Sequence, residues 1–245
     1  EGTQVAFIPE SLNALAVKVA LGGAIPLKVG FDGFIGEART GHRILLDDGT
    51  MELRAVEQRA MEGGVALVCE VLVGGVLKSN KGINFPDTDL TVPAMTEYDC
   101  RCLDFAVEHG FDFIALSFVR TAADVRQLKD YLRKLGVRPA RPREKEDRRE
   151  PVSAFGSEWR AFMPVIAKIE KPQALDNLEA IVSEADTIMV ARGDLGVEMD
   201  AAQVPVLQKR IIATCHDFGK PVIVATQMLQ SMIDSPVPTR AEVSD

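Results

Sequence analysis

Two apolar runs in the second half of the chain each end in charge. VIAKIE, residues 165–170, carries Lys168 and Glu170; TIMVARGD, residues 187–194, ends in Arg192 and Asp194. Side chains alternate along a strand, so Lys168 and Glu170 face the same way. Carboxylate oxygens are the hard ligands that Mg²⁺ or Mn²⁺ prefers, and such ions commonly take one or two protein carboxylates plus substrate oxygens. An ammonium beside two carboxylates therefore suits a divalent ion held next to a cation that stabilises developing negative charge. A structural reading competes with this. Glu170 and Asp194 would pair at the surface with Lys171 or Arg192, and Lys168 would be the buried partner of one of the acids, since a lysine inside an apolar run is costly without one. Spacing alone favours the structural reading.

The elements that must position these residues are strand, helix and strand. One amphipathic segment joins the two runs, which makes a parallel crossover unit. In a (β/α) barrel the C-terminal ends of the strands carry the chemistry. The alternation of helix and strand begins at about Lys81. Thr96 with Asp99, and Thr121 with Asp124, predict capping-box helix starts. Leu103 and Val107 mark one buried helix face, and Val125, Leu128, Leu132 and Leu135 another; Gly110 and Gly136 end these helices. FDFIALSF (residues 111–118) reads as a buried strand. Pro205 sits where a further helix begins, with Val204, Leu207, Ile211 and Cys215 as its stripe and Gly219 as its stop. PVIVAT (residues 221–226) is the next strand, which puts Thr226 on the same rim, as a site residue or as a turn cap. Residues 1–80 are β-rich: RILL–DDG–TMELRAV predicts a hairpin turning at Asp47–Gly49, and VALVCEVLV a further strand. Ser11–Leu21 fits helix and strand alike. The segment 137–163 breaks the rhythm with RPREKEDRRE, a mixed-charge run read as a solvated loop that Phe155, Trp159 and Phe162 dock to the body. Because it precedes a strand, it belongs to the face away from the rim.

AKIEKPQAL, MVARGDLGVE, PVIVATQML and PTRAEVSD resemble the motifs of pyruvate kinases, in family order and with family spacing. KGINFPDTDLTVPAMTEYD, at Lys81–Asp99, and the DDG at Asp47–Gly49 extend the resemblance, which runs from about Gly41 to Asp245. It implies an α/β fold, a partial (β/α)8 TIM barrel over residues 81–245 with a small β-barrel lid domain, residues 1–80, inserted after the third barrel strand. Four barrel strands are then expected here, with three before Glu1 and one after Asp245. The segment 137–163 is longer than the family's usual crossing.

The resemblance also implies the chemistry: phosphoenolpyruvate and ADP to pyruvate and ATP. It makes Glu170 and Asp194 the ligands of Mg²⁺ or Mn²⁺ and sets Lys168 beside the enolate and bridging oxygens. It gives the substrate carboxylate to backbone amides at Gly193 and Asp194, and a part in protonating enolpyruvate to Thr226. Lys81, a solvated hinge charge on its own reading, reaches the nucleotide phosphates. Family ligands for K⁺ lie on strands that this sequence does not include, and the complete protein is expected to be a cytoplasmic homotetramer. Asp47 and Asp48 read as turn formers, Arg240 as a subunit contact or a helix start, and His42, His109 and His216 have no ligand spacing.

Composition limits the alternatives. Twenty-eight basic against 36 acidic residues give a net charge of −8, which argues against nucleic acid or an anionic membrane as the main partner. No apolar run reaches membrane-spanning length. Cys69, Cys100, Cys102 and Cys215 lack zinc spacing and read as reduced thiols. Two rivals remain. A non-catalytic paralogue that binds a metabolite or partner through 137–163 would be favoured by substitutions at Lys168, Glu170 or Thr226, and none is present. A metal-dependent aldolase acting on a 2-oxo acid shares the carboxylate pair but leaves Lys81, the lid-like segment and the ATQM and PTRAE motifs unexplained.

Overall fold

In the computed structural model, residues 2–30, 32–88, 90–91, 93–137, 162–226 and 228–244 are described. They fall into two units, Glu1–Val92 and Pro93–Asp245.

The first unit is built on a six-stranded sheet. β1 (Gln4–Pro9) pairs in parallel with β2 (Ile25–Val29), and helix α1 (Ala14–Ala20) makes the crossover between them. Ser11–Leu21 is thus largely helical: the Asn13 side chain accepts the Leu15 and Ala16 N–H groups and starts the helix. After the short helix α2 (Gly33–Glu37) come β3 (Arg43–Leu46), β4 (Met51–Met61), β5 (Gly64–Val73) and β6 (Ile83–Asn84). The sheet order is β2-β1-β5-β4-β3-β6. No ladder joins β2 to β6 among the described residues, so the pairing seen is that of an open sheet rather than of the closed small barrel expected. β3 and β4 form the predicted hairpin. Asp47, Asp48 and Gly49 all turn with positive φ (52°, 55° and 81°), a conformation that short polar side chains and glycine tolerate best. Phe7, Phe34 and Phe85 pack centrally, with ring centroids 5.6 Å and 4.5 Å apart in turn, so the Ile83–Phe85 stretch belongs to this unit's core.

The second unit carries a four-stranded parallel sheet: β7 (Ile114–Leu116), β8 (Val165–Ile169), β9 (Thr187–Ala191) and β10 (Val222–Ala225), side by side in chain order. Helix α3 (Glu97–Glu108) leads into β7, and α4 (Ala122–Lys134) leaves it. Both helix starts are capping boxes, Thr96 with Asp99 and Thr121 with Asp124, each worth about 1 kcal/mol. Leu103, Val107, Val125, Leu128 and Leu132 are buried as their spacing predicts. β7 is shorter than FDFIALSF suggested, because it lies at the sheet edge with Phe111 and Phe113 exposed. The single helix expected between β8 and β9 is two, α5 (Pro172–Asp176) and α6 (Leu178–Glu184), parted at Asn177, whose amide donates to the Gln173 and Arg120 carbonyls. β9 is followed by α7 (Arg192–Glu198) and α8 (Val204–Asp217), and β10 by a 3₁₀ turn and α9 (Arg240–Ser244). Arg240 is thus the first residue of a helix. Ile169, Ile181, Ile188 and Ile211 are fully buried in the core between sheet and helices, each contributing roughly 2 kcal/mol by area. Val137 and Met163, the ends of the charged segment, are both buried in that core; residues 138–161, with Phe155 and Trp159, lie outside the described residues.

Candidate active site

The parallel order puts the C-terminal ends of β7, β8, β9 and β10 along one rim. From β8, Lys168 and Glu170 point the same way, as their two-residue spacing requires. The Lys168 Nζ lies 2.5 Å from Glu170 Oε1 and donates to Ser117 Oγ, just past β7, at 2.9 Å. Glu170 is 1% exposed. Its Oε2 accepts the Phe118 backbone N–H at 2.6 Å. Burial is the largest influence on its proton affinity and pushes the pKa above the ordinary glutamate value. Lys168 and the Phe118 amide oppose that rise, and the charge of Asp194 adds to it.

Asp194 and Gly193 lie in the first turn of α7, half-buried. The Gly193 N–H donates to Thr226 Oγ1 at 2.9 Å, which ties the end of β9 to the end of β10. A side chain at Gly193 would meet that oxygen: an added Cβ lies 3.2 Å from Thr226 Oγ1. Thr226 itself has φ of 72°, and Phe118, its counterpart after β7, has 55°. Left-handed φ is rare for aromatic and rarer still for β-branched residues, and each such residue stores roughly 1–3 kcal/mol of strain. Two of them stand where strands meet the rim.

The partners of the two basic residues considered from the sequence are in part different ones. Lys171 pairs with Glu198 rather than with Glu170, and the Arg192 guanidinium contacts the Met228 sulfur. The Lys168–Glu170 ion pair does form. Lys81, in the first unit, is no lone hinge charge: it forms an ion pair with Asp47 at 2.7 Å, which raises its pKa.

The donors suit a hard divalent ion. Glu170 Oε1 is buried, and no hydrogen bond of good geometry reaches it beyond the facing ammonium. The Asp194 charge is close enough to add to the rise in the Glu170 pKa. Among the described residues no group of three or more His, Cys, Asp or Glu that could hold a metal ion is present. Sequence reasoning missed Ser117, the Phe118 N–H and Glu198. The first two are the last residues of FDFIALSF, at a strand end, where the rim rule points as well.

Comparison with known proteins decides the family. The pyruvate kinase barrel-domain model matches residues 24–157 and 143–245, two stretches that overlap within the charged segment. The chain belongs to the pyruvate kinase family. It is 44% identical over 217 residues to pyruvate kinase 2 of Synechocystis sp., covering 89% of this chain and 32% of that protein. It is 46% identical over 209 residues to the pyruvate kinase of Mycobacterium tuberculosis strain H37Rv, covering 85% and 38%. Among solved structures, a pyruvate kinase from Cryptosporidium parvum superposes with a TM-score of 0.76 at 30% identity, covering 99% of this chain and 44% of that one. The chain thus spans about a third of the length of the curated pyruvate kinases it matches. Lys168, Glu170, Gly193, Asp194 and Thr226 all fall within the matched stretches.

Proposed function

We propose that the protein containing this chain transfers the phosphoryl group of phosphoenolpyruvate to ADP, giving pyruvate and ATP. The observation that carries the reading is the buried Glu170 carboxylate at the strand-end rim, faced by the Lys168 ammonium at 2.5 Å and raised in pKa by burial and Asp194, in a chain of this family. The four parallel strands in chain order fit half of a (β/α)8 barrel, whose rim is where such folds place their chemistry. The first unit would be the lid.

Positioning and charge neutralisation dominate phosphoryl transfer. Glu170 and Asp194 would hold Mg²⁺ or Mn²⁺, which supplies Lewis-acid neutralisation of phosphoryl oxygens. The Lys168 ammonium, oriented by Ser117 and Glu170, stabilises the enolate oxygen as the bridging bond breaks. The Gly193 amide, held on Thr226 Oγ1 at rest, takes the substrate carboxylate. Once that amide turns to the carboxylate, the Thr226 hydroxyl is released to join a hydrogen-bonded path to the enolpyruvate carbon. Lys81 reaches the nucleotide phosphates, and K⁺ dependence, homotetramer assembly and a cytoplasmic site belong to the same family-based reading. All four cysteines are free thiols, in keeping with a reducing compartment. Among the described residues no helix is long and apolar enough to cross a membrane.

The test is lactate-dehydrogenase-coupled pyruvate formation by the full-length protein. ADP-dependent turnover that requires a divalent ion and falls at least a hundredfold in Lys168→Met supports the reading; turnover without ADP or unaffected by Lys168→Met contradicts it.

A further inference from the structure

Glu198 is buried and Lys171 half-buried, both are charged, and neither is used by the chemistry above. Their side chains are 17% and 2% exposed, and the Lys171 Nζ pairs with Glu198 Oε1. The same ammonium lies 5.6 Å from the centroid of the Phe118 ring, within cation–π reach. Phe118 is the residue in left-handed conformation whose N–H holds Glu170 Oε2. Glu198 is the last residue of α7, the two-turn helix whose first turn carries Gly193 and Asp194. One ammonium, on the residue directly after Glu170, therefore joins the segments that follow β7, β8 and β9.

Stability alone is a poor reason for this pair. Two charges are taken out of water, and an apolar pair of similar volume commonly serves the fold as well or better. What an ion pair supplies is a fixed distance between its two elements. We infer that the Lys171–Glu198 pair, with Phe118, is a clamp that positions the two carboxylates of the candidate metal site. Through the ring it keeps the Phe118 N–H on Glu170; through α7 it sets Asp194 against β8. The inference rests on the metal-site reading given above. Both members are positioning residues, since neither touches reacting atoms.

The experiment measures Mn²⁺ binding to the full-length protein by electron paramagnetic resonance, with hydrogen exchange at the Phe118 amide and the thermal midpoint alongside. Outer groups that orient metal ligands typically change affinity ~10–100-fold when removed. Glu198→Gln and Lys171→Met should each weaken Mn²⁺ binding at least tenfold and speed exchange at Phe118. Lys171→Arg, which keeps the charge but not the shape of the ammonium, should weaken binding less than Lys171→Met does. The double variant Lys171→Met/Glu198→Leu removes both charges and separates position from folding: its thermal midpoint should return toward the parent while Mn²⁺ binding stays weak. If Lys171→Met does not fold, the near-isosteric Glu198→Gln and the double variant decide. Parental Mn²⁺ affinity and Phe118 exchange in Glu198→Gln or in the double variant overturn the clamp. Glu170→Gln is the control. If it binds Mn²⁺ as the parent does, or the parent binds none, the metal-site reading falls and the clamp with it. If Glu170→Gln loses binding while the clamp variants keep it, the clamp alone is overturned.

Discussion

Replacing Lys168 by methionine should cost more stability as the pH rises. The ammonium lies 2.5 Å from a carboxylate that is 1% exposed. Removing one partner of a buried pair leaves an uncompensated charge and typically costs about 3–5 kcal/mol. Here the loss has a ceiling, because Glu170 escapes by taking up a proton. From an ordinary value of 4.5, protonating a glutamate near neutrality, some 2.5 units away, costs about 3.4 kcal/mol at about 1.36 kcal/mol per unit. The penalty near pH 7 is therefore about 3.4 kcal/mol at most, and at pH 5 the ceiling is below ~1 kcal/mol. The sign follows from linkage. The folded-state pKa of Glu170 is already raised, so its contribution is fully present below the unfolded value and is lost as pH rises through the folded one. Deleting Lys168 raises that pKa further and widens the window. Urea unfolding of the parent and Lys168→Met at both pH values measures this, and Lys168→Met/Glu170→Gln should recover most of the loss at neutral pH. In turnover, the missing cation should cost ~10²–10³. A destabilisation that does not change between the two pH values would show that Glu170 is not the buried carboxylate that answers to Lys168.

Gly193→Ala places a methyl 3.2 Å from Thr226 Oγ1; it should destabilise by about 1–2 kcal/mol and slow turnover at least tenfold, as calorimetry and the coupled assay would show, and a silent substitution contradicts the tie between β9 and β10. Mn²⁺ affinity of the metal-free protein should fall as pH drops through the pKa of Glu170, and, because burial raises that pKa, the fall should begin above the range of an ordinary glutamate; a titration flat down to pH 4.5 opposes this. Replacing Arg141–Glu150 by a short Gly/Ser linker should leave turnover within a few-fold, since the segment leads into the N-terminal end of β8, opposite the rim; a hundredfold loss in the coupled assay would tie the segment to the site or to a required interface.

Where one local interaction decides an element, the sequence was readable. Thr96 and Asp99, Thr121 and Asp124, and the Asp47–Gly49 turn each carry their own hydrogen bonds or backbone preference, and each appears as the spacing predicts. Ser11–Leu21 was undecidable because Leu15, Val17, Val19 and Leu21 alternate as a strand would. The Asn13 cap settles it as helix, and Leu15 and Val19 stay exposed. Near the rim, the shared face of Lys168 and Glu170 follows from the period of β8, and the place of Thr226 from the end of β10; the roles given to Gly193 and Asp194 rest on the family resemblance, because spacing alone favours a structural reading of the charged residues. The left-handed Phe118 was not legible, since no glycine or asparagine marks it. Nor was the partner of Lys171, because Glu198 is 27 residues away and reaches it only once α7 has packed.

The most direct test of the account is a Mn²⁺ titration of the full-length protein by paramagnetic relaxation, with phosphoenolpyruvate present, for the parent, Glu170→Gln and Asp194→Asn. The account predicts one tight ion in the parent and at least tenfold weaker binding in each variant. Unchanged binding in both variants would contradict it and return Glu170 and Asp194 to structural roles.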